Sequence, residues 1–293
     1  MEFRTEVGIE RPAWQIEPCA RMLFVGSCFA DSIGSRFREE RFPTEVNPFG
    51  TMYNPVSVWH TIEKVLENRT GDEAQDEQWV FITLGTNHIY ILKETGEVVD
   101  NCQKRPQRLF DERQLSVEEC AEWLQRSVDA LVEANPLTRI VFTVSPIRYR
   151  KYGYHESQLS KATLLLAVEK VLNDNTHRTI IKDGEKVTDA RMLTYFPAYE
   201  IVNDELRDYR FYAPDMIHPS EQAVAYIWER LVDTYFSDSA KQYLEEWRPL
   251  KEALGHRPFN ADSEEYRLFM QKTQEKIAAM SKKYPNFAQE LKG

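Results

Sequence analysis

The chain has 293 residues, a formal net charge of −10 and 42% hydrophobic residues. That is long enough to bury a sizeable core, as one large domain or one domain with an extension, without help from a metal or a disulfide. The acidic balance and the lack of any Lys/Arg run argue against a nucleic-acid partner, and no apolar run approaches the ~20 residues of a membrane span.

Arg21 to Val25 is an apolar run that predicts a first strand, and Gly26, Ser27 and Cys28 follow it as a turn. Asp31 to Arg41 reads as a helix with Ile33 and Phe37 on one face, ended by Pro43. NPFGTMYNP (47–55) is a loop by composition, and Pro55 opens a helix over Val56 to Asn68. WVFITLG (79–85) predicts a buried strand, and the alternating stretch 89–101 a hairpin turning at Thr95-Gly96. Ser116 with Glu119 three residues later forms a capping-box pattern for a helix to about Ala134. RIVFTVSP (139–146) is a further buried strand stopped by Pro146, and Ser157 to Asn173 a further helix. MLTYFPAYEIV (192–202) reads as strand or extended chain, and Ser220 to Phe236 as helix. Beyond residue 237 two charged amphipathic helices are expected, whose Trp247, Leu250, Leu254, Phe269 and Met270 can pack on the core or on a second copy, the latter giving a homo-oligomer. The alternation of strands and helices predicts an α/β fold over 1–236 with a helical extension over 237–293.

The residues before the first strand, MEFRTEVGIERPAWQ, have no apolar signal core, so a cytoplasmic location is expected. Cys19, Cys28, Cys102 and Cys120 are dispersed, with no CxxC and no companion His at zinc-finger spacing. They are expected to be free thiols, with no metal and no organic cofactor.

In a parallel sheet, ligands collect at the carboxyl ends of the strands. The predicted ends carry Gly26-Ser27-Cys28, Gly85-Thr86-Asn87 and Ser145-Pro146. A hydroxyl or thiol between strand and helix sits near helix amides that favour a thiolate or an oxyanion, although Ser27 as a cap and Cys28 as a small buried residue is the plainer reading of the tripeptide. Asp215 and His218 in YAPDMIHPSEQA have the spacing with which an acid can orient an imidazole that takes a proton, or the ordinary roles of turn residue and solvated loop residue. Asn87 can donate its amide to an oxyanion, and Gly50 its N–H; both residue types also serve as plain turn residues.

The order nucleophile, Gly, Gly-x-Asn and late Asp-x-x-His resembles the SGNH (GDSL-like) hydrolase superfamily. GSCFA (26–30), NPFGTMYNP, TVSPIRY, HESQLSKATLLLAV and YFPAYEIVNDELRDYRFYAPDMIHPSE resemble the GSCFA-domain family within it, over roughly residues 3–235. That resemblance implies a flavodoxin-like three-layer α/β/α core and an oxyanion hole drawn from the nucleophile's N–H, Gly50 and Asn87. It implies a triad completed by Asp215 and His218, with Cys28 in the nucleophile's place and Ser27 taking the role if the turn is shifted by one residue. The implied activity is hydrolysis or transfer of an acyl group from a small-molecule or carbohydrate ester. The alternative is a catalytically lapsed module that binds a glycan or peptide. An activated Cys28 is expected to react with iodoacetamide well below the ~8.5 of a free thiol. Arg148, His155 and Glu156 are candidates for contacting substrate, Lys161 can line the same cleft but is rather expected to solvate a helix, and NCQK (101–104) also looks family-specific.

Overall fold

The structure, a computed structural model, describes residues 4–68, 78–100, 102, 105–175, 180–182, 185–187, 192–260, 262–284 and 286–287. Strand β1 (Arg21–Gly26) feeds helix α1 (Cys28–Glu39), edge strand β2 (Thr44–Val46) and helix α2 (Pro55–Asn68). Strand β3 (Gln78–Leu84) is followed by β4 (His88–Leu92), β5 (Val98–Val99) and β6 (Phe110–Gln114). Then come α3 (Val117–Ala134), β7 (Arg139–Val144), α4 (Gly153–Asp174) and the short pair β8 (Ile180–Lys182) and β9 (Glu185–Val187). Strand β10 (Leu193–Tyr195), the single turn α5 (Ala198–Glu200), α6 (Glu221–Tyr235), α7 (Asp238–Gly255) and α8 (Glu264–Lys283) complete the chain.

Five strands form one parallel sheet in the order β10-β7-β3-β1-β2. Counted along the chain this is the doubly wound order 2-1-3-4-5, whose ligand sites lie at the strands' carboxyl ends. Strand alternation explains the three layers. Leu23, Val25, Val80, Ile82, Ile140 and Phe142 face α2, α3 and α4, whereas Met22, Phe24, Phe81 and Val141 face α1, α6 and the C-terminal helices. Both faces are buried, which is why the strands read as continuous apolar runs.

Several boundaries differ from the sequence reading. Helix α1 starts three residues early, because Ser27 caps it. The predicted capping box on α3 is present, with Glu119 N–H donating to Ser116 Oγ at 3.1 Å and Ser116 N–H to Glu119 Oε2 at 2.8 Å. The hairpin forms with Tyr90 opposite Val99, and β6 adds an unforeseen third strand to it. The stretch 192–202 is strand only over Leu193–Tyr195; it then turns helical at Ala198 and widens into a π-helix over Ile201–Leu206. In the extension, Trp247 and Leu250 are buried against the core and Leu254 is half-buried there, while Met270 is half-exposed and Phe269 exposed. Among the described residues no helix is long and apolar enough to cross a membrane.

Candidate active site

The turn after β1 decides which side chain reaches the surface. Gly26 has φ +140°, and a Cβ there would stand 2.0 Å from the Thr83 carbonyl oxygen of the neighbouring strand, so only glycine fits. The chain is then tied down by Ser27 N–H donating to Thr83 O at 3.0 Å. Ser27 is 1% exposed. Its hydroxyl accepts from Phe29 N–H at 3.3 Å and lies 3.1 Å from Thr83 Oγ1, so it is fully used as a helix cap. Cys28, the first helical residue, is half-buried and points its sulfur outward to His218.

His218 comes from a closed loop. Tyr212 bridges Pro219 across its base, and Ala213 N–H donates to His218 O at 2.7 Å. Within it Met216 takes a left-handed backbone, φ +57°, strain of a kind that concentrates at functional sites. Asp215 Oδ1 accepts from Ile217 N–H at 2.8 Å and His218 N–H at 3.0 Å, and its Oδ2 lies 2.6 Å from His218 Nδ1. The His218 hydrogen bond first, then these two amides, hold the Asp215 carboxyl down at about 2. A carboxylate can only accept, so Nδ1 carries the ring proton and Nε2 offers its lone pair. That Nε2 is 3.4 Å from Cys28 Sγ.

The surroundings of the thiol oppose its ionisation. Burial pushes its pKa up, and the Asp31 carboxylate adds to this. Its own N–H and the Tyr53 hydroxyl, which lies within hydrogen-bonding reach of the sulfur, act in the opposite direction. Asp31 is fixed by Asn47 Nδ2–H at 2.9 Å and Thr51 Oγ1–H at 3.3 Å, while Asn47 Oδ1 accepts from Gly26 N–H at 2.9 Å, so the NPFGTMYNP loop is bound to the elbow. Partial burial beside a carboxylate works against the low-pH reactivity expected of an activated thiol, and His218 is the base at hand to take its proton.

The structure joins Cys28, His218 and Asp215, and places the other candidates elsewhere. Gly50 has a left-handed backbone (φ +97°), but its N–H donates back to Asn47 O at 2.8 Å, closing a turn. The Asn87 amide is buried and gives one of its two N–H groups to Leu115 O at 2.7 Å. Arg148 donates its N–H to Ile217 O at 3.0 Å and Nη1–H to Met216 O at 3.2 Å, and so clasps the histidine loop. His155 is exposed on the first turn of α4, and Glu156 accepts from Gln114 Nε2 at 3.2 Å. Asn101, Gln103 and Lys104 lie outside the described residues. Lys161 was expected in solvent and is instead buried at 2% exposure, because α4 turns that face onto the sheet. Tyr53 is a neighbour of the thiol that the sequence did not single out, and Lys161 one for which it favoured a solvated place on a helix. Both lie inside quoted motifs, but neither residue type announces chemistry without its surroundings. Among the described residues no group of three or more His, Cys, Asp or Glu side chains is arranged to hold a metal.

Comparison with known proteins agrees with the motifs. The model of the GSCFA family matches residues 21–76 and 67–231, and that of the GSCFA domain protein C-terminal domain matches residues 247–292. No curated protein matches the chain. Solved structures similar to it include a member of the lipolytic protein G-D-S-L family from Veillonella parvula, at 9% identity over 74% of this chain and 98% of that one, TM-score 0.45. An acetylxylan esterase from Geobacillus stearothermophilus is 11% identical over 76% of this chain and 97% of its own, TM-score 0.40. A carbohydrate esterase family 3 protein from Talaromyces cellulolyticus is 9% identical over 78% and 99%, TM-score 0.39. These likenesses are too loose to carry chemistry across.

Proposed function

The chain belongs to the GSCFA family, and on that premise we propose that it is an SGNH-type acyl-ester hydrolase whose nucleophile is the Cys28 sulfur. The observation that carries this reading is the unbroken line from Sγ to His218 Nε2 at 3.4 Å and from Nδ1 to Asp215 Oδ2 at 2.6 Å. Substrates of this reading are esters of small molecules or carbohydrates.

As the sulfur attacks the acyl carbon, its proton passes to Nε2, and Asp215, ionised at any ordinary pH, stabilises the imidazolium. The developing oxyanion meets the Cys28 N–H at the start of α1, where the partial positive charge of the helix lies. The tetrahedral intermediate collapses as Nε2–H protonates the departing alkoxide, leaving a thioester on Cys28. Water, deprotonated by Nε2, then releases the acid and restores the thiol. An alcohol in place of that water makes the same intermediate an acyl transferase's.

Gly50 enters this scheme only if its present hydrogen bond to Asn47 O is exchanged for the oxyanion, whereas Asn87 Nδ2, which gives one N–H to Leu115 O, has a second. Tyr53, whose hydroxyl lies within hydrogen-bonding reach of the sulfur, is a further donor beside the reacting atoms.

The test is a panel of aryl and sugar acyl esters presented to wild type, Cys28→Ala and His218→Ala, with mass analysis of the Cys28 peptide for a trapped acyl group. Turnover lost in both variants and an acylated Cys28 are expected. Binding without turnover in the wild type would instead point to a lapsed, ligand-binding module.

A further inference from the structure

We infer that Lys161 is a positioning residue of the thiol site, its ammonium clasping the carboxyl ends of β3 and β7 and supplying the positive charge against which the Cys28 sulfur ionises. This rests on the reading that Cys28 is the group that ionises.

A lysine that is 2% exposed is unusual without a carboxylate, and among the described residues Lys161 has none. Its Nζ donates instead to Gly85 O at 2.6 Å and Ser145 O at 2.7 Å, the residues that follow β3 and β7. Gly85 in turn abuts the elbow, since a Cβ on it would stand 3.4 Å from Ser27 Cβ. The ammonium is thus seated directly behind the turn that presents the sulfur. Two strand ends could be tied by neutral groups at far lower cost of desolvation. The neighbouring residue ties α4 to the segment after β3 with a neutral group: Ser160 Oγ lies 3.0 Å from Thr86 Oγ1 and accepts from Asn87 N–H at 3.0 Å. A charge buried one residue away from that neutral tie calls for a use of the charge.

The charge has a target. Among the described residues, the Cys28 thiol from α1 acts on Lys161 and the Tyr199 ring from α5 has its centroid 5.9 Å from Nζ, while the thiol itself also meets Asp31, Tyr53 and His218. Burial brings the ammonium down to about 7, and a thiolate at Cys28 would hold its proton on; reciprocally, the ammonium favours the thiolate. When the thiol is neutral, the charge on Lys161 is costly; when the sulfur is anionic, or an oxyanion stands beside it, the same charge is compensated.

The experiment follows iodoacetamide labelling of the Cys28 peptide by mass spectrometry across the neutral and alkaline range. It compares wild type with Lys161→Gln, which keeps donors for the two carbonyls and removes the charge, and with Lys161→Met, which removes both. Both variants should label about tenfold more slowly at a given pH below the midpoint, with the midpoint displaced upward by about one pH unit. A folded Lys161→Gln whose profile superimposes on the wild type overturns the proposal and leaves Lys161 a structural clasp. Should neither variant fold, the coupling is read from the other side, by the NMR titration of the Lys161 side chain in wild type against Cys28→Ala. A displaced titration supports the proposal and coincident curves overturn it. Labelling needs no substrate, so a displaced profile in a protein that hydrolyses no ester retires the hydrolase reading alone.

Discussion

Ser27→Ala separates a capping role from a nucleophilic one at the elbow. The substitution removes the acceptor of Phe29 N–H and the partner of Thr83 Oγ1, both in a buried setting. Loss of an N-cap costs about 1 kcal/mol, and a buried hydroxyl left without its partner about 1–3 kcal/mol. The sum, roughly 2–4 kcal/mol, is a large part of a typical stability of about 5–15 kcal/mol but does not exceed it. For a chain of this size it corresponds to a fall in melting temperature on the order of 10 °C. Thermal unfolding should register that fall while the surviving folded protein keeps ester turnover within a few-fold of wild type. Cys28→Ala should do the reverse, since Cys28 is only half-buried and alanine is a good helix former. A folded Ser27→Ala that loses turnover about a hundredfold, beside a Cys28→Ala that retains it, would refute this reading and move the nucleophile to Ser27.

Gly26→Ala should be far worse than either. It forces a side chain into the Thr83 carbonyl from a positive-φ backbone, a backbone clash that costs on the order of 3 kcal/mol or more, and a denaturation midpoint within about 1 kcal/mol of wild type would contradict the described turn. Asp215→Asn should lower kcat by about 10²–10⁴ by losing the imidazolium's partner and the Nδ1–H tautomer. In the wild type the Asp215 carboxyl, held down at about 2, contributes fully above its unfolded range near 4 and loses that contribution only as pH falls toward 2. A pH–rate profile should therefore show no limb from this group in mildly acidic buffer, and one that appears there and vanishes in Asp215→Asn would count against the assignment. Trp247→Ala should cost about 3–5 kcal/mol in guanidinium unfolding, because the ring is 1% exposed and packs against Phe287 at 5.1 Å; a loss below about 1 kcal/mol would mean that the extension is only loosely docked.

The parallel core was legible because each of its central strands is buried on both faces. Runs such as LFV and VFITL therefore state their class without a partner in view. Ser116 was readable as a cap because capping is local chemistry. The edge strand β2 and strand β6 were not, since β2 is only three residues long and β6 is exposed at most positions. The triad could be proposed from Asp-x-x-His spacing and motif order, but its members lie 190 residues apart, and only the fold brings Sγ and Nε2 together. What spacing could not reveal is where each donor is already spent. Gly50 N–H looks available as a letter and is bonded to Asn47 O in space, and one of the two Asn87 amide hydrogens is given to Leu115 O. Lys161 is the converse case. A lysine in a helical string reads as solvent-facing, and only the packing of α4 on the sheet turns it inward.

The C-terminal helices belong to the same physical argument as the thiol. A helix leaves its last carbonyls without intrahelical donors, and those of α1 are met from the extension. Trp247 Nε1–H donates to Glu39 O at 3.1 Å and Tyr243 O–H to Glu40 O at 2.6 Å, while Lys251 Nζ pairs with Glu40 Oε1 at 2.6 Å. At its other end α1 is fixed by the Ser27 cap and by Asn47 and Thr51 holding Asp31. The helix that carries Cys28 is thus restrained at both ends by segments far apart in the chain. Sulfur and imidazole stand 3.4 Å apart from opposite sides of the site, and a tilt of α1 by an ångström would break that contact. The extension therefore bears on the chemistry without touching it. Damage at Trp247 should spread from stability to Cys28 reactivity, whereas damage at an exposed position of α8 such as Phe269 should not.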